Sequence, residues 1–272
     1  MSTRSHLAAA PCSFGIADGR EADGAELLRA LATADVEGID LGPPGFLGDE
    51  HTLGANLSGQ GLSISGGWVE LGTGHDGLGD LDAVLALFAA AVEGSAPRPR
   101  PTLGVVDDGR LPTDPDARTQ AIAALVDQAA SRSARAGFPA TLHPHLETAL
   151  VAPDETAAVL NEVEVGLCLD TAHWHLGGWD LIADTERWSD RIDHVHVKDL
   201  VTNEPREPTM ARLWTDVREV GDGDLDMAGV LDACPRTDWI VIEQDRPPGA
   251  SDLASIAEAQ GRSAAWLREH AP

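Results

Sequence analysis

Histidines and carboxylates crowd the second half of this chain in a pattern suited to holding a cation and moving a proton. His143 and His145 stand two apart in TLHPHLET, and Asp170 and His173 three apart in CLDTAHWH. His194, His196 and Lys198 alternate through HVHVKD, and Glu243 sits in VIEQD. Six of the ten histidines fall between residues 143 and 196, which makes this stretch the place to look for chemistry. Side chains two apart on a β-strand share a face. His143 therefore shares a face with His145, and His194 with His196 and Lys198. Singly, each has an ordinary explanation: a hydrogen-bonded core histidine, a helix cap at Asp170, an arginine partner for Glu243. Together, four successive segments ending in His, Asp, His and Glu would leave several buried polar groups unpaired unless one partner binds them all. A divalent cation does so. Mixed imidazole and carboxylate donors suit Mn, Co, Zn or Fe better than Ca, with Mg also admissible. Cys168 shares the parity of Asp170 and reads as a small core residue.

The elements that must position these groups alternate. Strands are expected near 12–16, 36–42, 62–71, 102–106, 140–145, 166–170, 192–198 and 239–243. Helical spacing is found in 25–34, 81–94, 115–136, 152–163 and 251–270, the last with Ser251 as its expected N-cap. Eight strands alternating with about eight helices give an α/β protein with a parallel sheet. The count fits a single (β/α)8 TIM barrel, and no glycine-rich dinucleotide fingerprint follows the first strand to argue for an open sheet. Active sites of such barrels lie at the C-terminal strand ends, where His143 through Glu243 fall. The chain reads as one domain, 1–272, with residues 1–10 expected to be flexible.

Composition narrows the function. The net charge is −26 and the pI near 4.5, so the surface repels phosphate backbones and anionic membranes; neither nucleic acid nor membrane is an expected partner. Three widely spaced cysteines make no disulfide framework. The longest apolar run, Leu81 to Val92, is too short to span a bilayer. The N-terminus lacks a signal-peptide core, so the expected location is the cytoplasm. A homo-oligomer is left open.

EGIDLGPPGFLGDEHTL (37–53), LHPHLET (142–148), CLDTAHWHLGG (168–178), HVHVKDL (194–200), EVGDGDLD (219–226) and VIEQD (241–245) resemble the xylose-isomerase-like TIM-barrel superfamily, and within it the inosose dehydratase (2-keto-myo-inositol dehydratase) branch. The resemblance covers roughly residues 35–250. It implies one divalent metal, manganese first among the candidates, held by Asp170, His196 and Glu243. The fourth position, a glutamate in many relatives, is His143 here. The resemblance also places His145 and His173 toward the substrate. Glu147 departs from the dehydratase pattern, where a small residue is expected.

The expected activity is that of a metal-dependent lyase, a dehydratase acting on a keto-polyol or keto-sugar through an enediolate. His145 would be the base. His173 or Glu147 would protonate the departing hydroxyl. Lys198, the only lysine beside eighteen arginines, would sit at the mouth of its strand and stabilise the enediolate. The alternatives are a sugar isomerase or epimerase, or a C-glycoside-cleaving lyase, on the same site. A metal-dependent DNA-repair endonuclease shares the superfamily, but the charge argues against it. A non-catalytic binding role would show metal without turnover.

Overall fold

The structure is a computed structural model that describes residues 5–15, 23–72, 76–92, 97–202, 206–234, 237–245 and 252–271. The expected cap Ser251 lies outside them. The strands in chain order are β1 (His6–Ala9), β2 (Gly38–Ile39), β3 (Ser63–Ile64), β4 (Gly66–Leu71), β5 (Arg100–Val105), β6 (Thr141–Leu142), β7 (Gly166–Asp170), β8 (Ile192–Val197), β9 (Asp199–Leu200), β10 (Val217–Arg218) and β11 (Trp239–Ile242). The helices are α1 (Gly24–Leu31), α2 (Leu53–Ser58), α3 (Leu81–Ala91), α4 (Pro115–Arg135), α5 (Pro153–Glu162), α6 (Thr171–Gly177), α7 (Leu181–Trp188), α8 (Met210–Asp216), α9 (Met227–Ala233) and α10 (Leu253–His270).

Nine strands pair in the order β3-β2-β1-β11-β8-β7-β6-β5-β4, all in parallel. β3 and β4 are two pieces of the one strand expected at 62–71, separated only by Ser65. Backbone bonds run across the break, with Ser65 N–H donating to Ile39 O and Leu41 N–H to Gly66 O. The barrel thus closes through an interrupted strand, and the interruption turns the Ser65 hydroxyl onto Asp40.

The first strand differs from the expectation. The expected strand at CSFGI, 12–16, is absent over its described residues: Pro11–Phe14 form a short 3-10 helix, Ile16 lies outside the described residues, and β1 lies earlier, in HLAA. Pro11 has no N–H to give a ladder and is well suited to open a helical turn. Residues 6–9, inside the segment expected to be flexible, pair with β11 on one side, and Ala8 and Ala9 also pair with β2.

Many helices begin at aspartates. Asp23, Asp114, Asp170, Asp180, Asp226 and Asp252 each accept bonds from first-turn N–H groups, so part of the acidic composition is capping. Asp252 caps α10 in a reciprocal box with Ser255. Val195, Val197, Ile240 and Ile242 face the helical layer and join the main core. Trp239 and Val241 alternate with them and pack with Ala8 and Ala10. Gly38 leaves room for the Trp239 ring, since a Cβ there would come within 2.6 Å of it. Among the described residues, no helix is long and apolar enough to cross a membrane.

Candidate active site

The register of the last strands brings the polar residues level. Pairing of β7 with β8 shifts between Leu167 and Cys168, so Asp193 is skipped and Asp170 sits beside His196. On the other flank, β11 pairs Val241 with His196, which puts Glu243 one step above on the same face. His143 follows β6 directly.

Asp170 uses its two oxygens separately. Oδ1 caps α6 by accepting from Ala172 N–H (3.0 Å) and His173 N–H (2.9 Å). Oδ2 points the other way, 3.8 Å from His143 Nε2 and 3.8 Å from His196 Nδ1. Glu243 is divided too. Oε2 lies 2.7 Å from His196 Nδ1, while Oε1 meets Lys198 Nζ at 2.8 Å and accepts from the Cys12 thiol at 3.1 Å. Asp170, His196 and Glu243 each offer a donor atom within 4.8 Å of the other two, and all three residues are buried.

A divalent cation fits this set. Asp170 Oδ2, both ring nitrogens of His143 and Nδ1 of His196 are buried and make no well-directed hydrogen bond, while Nε2 of His196 approaches Asp40 Oδ2 at 3.3 Å. The contacts that Asp170 Oδ2 and His196 do make are ionic approaches rather than aligned bonds. Buried polar atoms in that condition are costly unless something else binds them. His143 lies at the rim of the trio, its ring 4.9 Å from that of His196.

Lys198 stands elsewhere than expected. It was placed at the strand mouth, but its side chain is fully buried. Nζ lies 3.0 Å from Asp170 Oδ2, 2.8 Å from Glu243 Oε1, 3.5 Å from Asp245 Oδ2 and 2.9 Å from His173 Nε2. Burial opposes its charge, but the Asp170, Asp245 and Glu243 carboxylates outweigh burial and hold the ammonium charged well above the usual range. Burial likewise works against the ionised forms of Asp170 and Glu243, but Lys198 together with the neighbouring histidines (His143 and His196 for Asp170, His196 for Glu243) outweighs it; both stay ionised well below the usual carboxylate range. Burial drives Asp245 up to about 6 despite the same lysine. For His196, burial is overcome by Glu243 and Asp40, which lift it to about 10.

His145 is the half-buried histidine of the cluster. Its Nδ1 lies 2.5 Å from Leu146 O. A carbonyl only accepts, so Nδ1 carries the proton and Nε2 keeps a free lone pair. Burial, His143 and Lys198 push its pKa down to about 3. Its ring stacks against His173 at 3.7 Å and tilts toward Trp68 at 5.0 Å. Trp68 occupies space that a Cβ on Gly104 would fill, so Gly104 seats the indole. His173 is fully buried, faces Leu146 N–H with Nδ1 at 3.3 Å, and is held neutral by burial and by its neighbours His145 and Lys198.

Glu147 does not join the cluster. It is exposed, in a turn with φ of 63°, and among the described residues no hydrogen bond or ion pair links it to the site. Cys168 lies beneath His143 and His196, and burial with Asp170 nearby keeps its thiol protonated, as a core residue should be. Sequence reasoning passed over Asp40, Ser65, Cys12, Trp68 and Asp245. Two of these left a signal: Asp40 is a charge inside an expected buried strand, and Asp245 shares the parity of Glu243.

Comparison with known proteins agrees with this architecture. A family model described as xylose isomerase-like TIM barrel matches residues 78–270. An inosose dehydratase of Lactiplantibacillus plantarum is 24% identical over 93% of this chain and 90% of its own length. The rhizopine catabolism protein MocC of Rhizobium meliloti is 28% identical, over only 48% of each chain. Among solved structures, the IolI protein with a bound zinc atom superposes with a TM-score of 0.74 at 11% identity, covering 97% of this chain and 99% of that one. An L-ribulose 3-epimerase gives 0.67 at 15% identity, covering 97% and 94%.

Proposed function

Since this chain belongs to the xylose isomerase-like TIM-barrel family, we propose that it is a sugar-modifying enzyme, and specifically a metal-dependent dehydratase of a keto-polyol such as an inosose. The observation that carries this reading is the convergence of Asp170 Oδ2, His196 Nδ1 and Glu243 on one buried point, with His143 at its rim. The relatives that are inosose dehydratases support the substrate class. Manganese is the first candidate, with zinc, cobalt, iron and magnesium behind it; the zinc of the IolI neighbour supports a cation of this kind.

A cation held by these residues would polarise a substrate carbonyl and acidify the neighbouring C–H. The chain's own groups do the rest. His145 is half-buried and its Nε2 keeps a lone pair, and it takes the α-proton. Its low pKa makes it a weak base, sufficient only for an acidified carbon, but a strong acid once protonated. The buried Lys198 ammonium keeps Asp170 and Glu243 ionised and in place beside the reacting end of the site. Loss of the β-hydroxyl then needs a proton. Glu147 is exposed and unlinked to the cluster among the described residues, neutral buried His173 is a poor acid, and Lys198 holds its proton tightly. His145 therefore returns the proton it took: the Cα–H and Cβ–O bonds break, water leaves, and no net proton is consumed. Trp68 offers an aromatic wall beside His145 for the C–H face of the ring.

The test is an NMR assay of the manganese-loaded protein with 2-keto-myo-inositol and other keto-sugars in deuterated buffer. Dehydration of a keto-polyol is expected. Deuterium entering the α-position with the hydroxyl retained would favour an isomerase or epimerase, and no exchange with any keto-sugar would overturn the enzymatic reading.

A further inference from the structure

Asp40 carries a carboxylate into the barrel from the end of β2, and the function above does not use it. It is buried, and its backbone N–H donates to Ala9 O. Oδ2 lies 3.3 Å from His196 Nε2, on the side of the ring away from Asp170 and Glu243. Oδ1 accepts from Ser65 Oγ at 2.5 Å and lies 3.9 Å from His194 Nε2. The surroundings are cut to fit. Ser65 is the residue at which the β3–β4 strand breaks, and Gly66 follows it with no side chain. A Cβ on Gly66 would stand 3.0 Å from Asp40 Oδ1 and 3.1 Å from His194 Nε2.

We propose that Asp40 is the positioning residue of the cation site, holding His196 with its proton on Nε2 so that Nδ1 is the nitrogen presented to Asp170 and Glu243. A ligating imidazole needs its other nitrogen bonded to fix ring orientation and tautomer, and a carboxylate is the strongest such partner. Among the described residues, Asp40 is the acceptor that the structure places at His196 Nε2. Ser65 in turn keeps the carboxylate from swinging to His194. This inference rests on the cation site proposed above, and it assigns a residue outside the ligand set.

Three measurements test it on the full chain. Manganese and zinc titrations by calorimetry should show Asp40→Asn binding about 10–100-fold more weakly than wild type. Long-range 1H–15N spectra of the zinc-loaded, 15N-histidine-labelled protein should show His196 with metal on Nδ1 and a proton on Nε2. Ser65→Ala should weaken binding by a smaller factor. A merely structural Asp40 would lower Tm in Asp40→Asn and leave metal affinity unchanged, which would overturn the proposal. A wild-type spectrum with metal on Nε2 would also overturn it, and that measurement needs no variant to fold. Wild-type protein that binds neither metal would instead sink the cation site itself, and this inference with it.

Discussion

Lys198 Nζ lies 3.0 Å from Asp170 Oδ2, with both side chains sealed from solvent. An ammonium at the surface of so acidic a protein would be worth little, but here it is the internal counter-charge of Asp170 and Glu243. Removing one partner of a buried pair costs roughly 3–5 kcal/mol, because the other charge stays behind. Lys198→Met is expected to destabilise the metal-free protein by about that amount, with manganese restoring much of the lost Tm. Its turnover should fall as well, because Asp170 and Glu243 lose the counter-charge that holds them ionised. Lys198→Arg should also be impaired, since a planar guanidinium does not replace a compact ammonium in a closed site. Melts with and without metal check this, and a Met variant as stable as wild type would contradict it.

His145→Ala is expected to bind manganese as wild type does and to lose α-proton exchange. Its ring stands outside the Asp170, His196 and Glu243 trio, and Nε2 of this half-buried ring keeps its lone pair. Exchange at the wild-type rate in a metal-loaded variant would remove His145 as the base.

Glu147 separates this account from one that relies on every acidic residue near the strand ends. Its exposed, left-handed backbone favours glycine over glutamate. Glu147→Gly should therefore keep full turnover and melt at the same or a slightly higher temperature. Lost turnover would return Glu147 to the mechanism.

Much of the site was legible because period-two alternation is unforgiving: once HVHVKD is a strand, His194 and His196 must share a face. Asp170 and Glu243 followed from their place at the C-terminal ends of the expected strands. The depth of Lys198 was not legible, because burial depends on three carboxylates from two neighbouring segments, which no local window contains. Asp40 was hidden for a related reason. Its role appears only when β2 lies beside the Ser65 break and across the barrel from β8. β1 was misplaced because CSFGI and HLAA are both short apolar runs, and only pairing with β11 selects the second.

The histidines also set an acid limit. Burial lowers His143 and His173, and lowers His145 and His194 to about 3, against an unfolded value of 6.5. As pH falls from 6.5 toward 3, the unfolded chain takes up protons at these residues that the folded protein refuses, so stability falls. Asp245, raised to about 6, and Asp80, Asp193 and Asp199, also raised by burial, work in the opposite direction, while the lowered carboxyls of Asp40, Asp170 and Glu243 add to the loss at the acid end. The Tm of metal-free protein should therefore decrease steadily over this range, and His194→Asn should make the slope shallower. A flat profile would contradict the neutral cluster.

The most direct test of the central claim is anomalous diffraction from crystals of the manganese- or zinc-loaded protein. The account predicts one strong peak at roughly 2.0–2.3 Å from Asp170 Oδ2, His196 Nδ1 and Glu243, with His143 turned in as the fourth ligand. Lys198 should remain on Glu243 Oε1. A peak bound by other residues, or none at saturating metal with Lys198 alone between the two carboxylates, would contradict it.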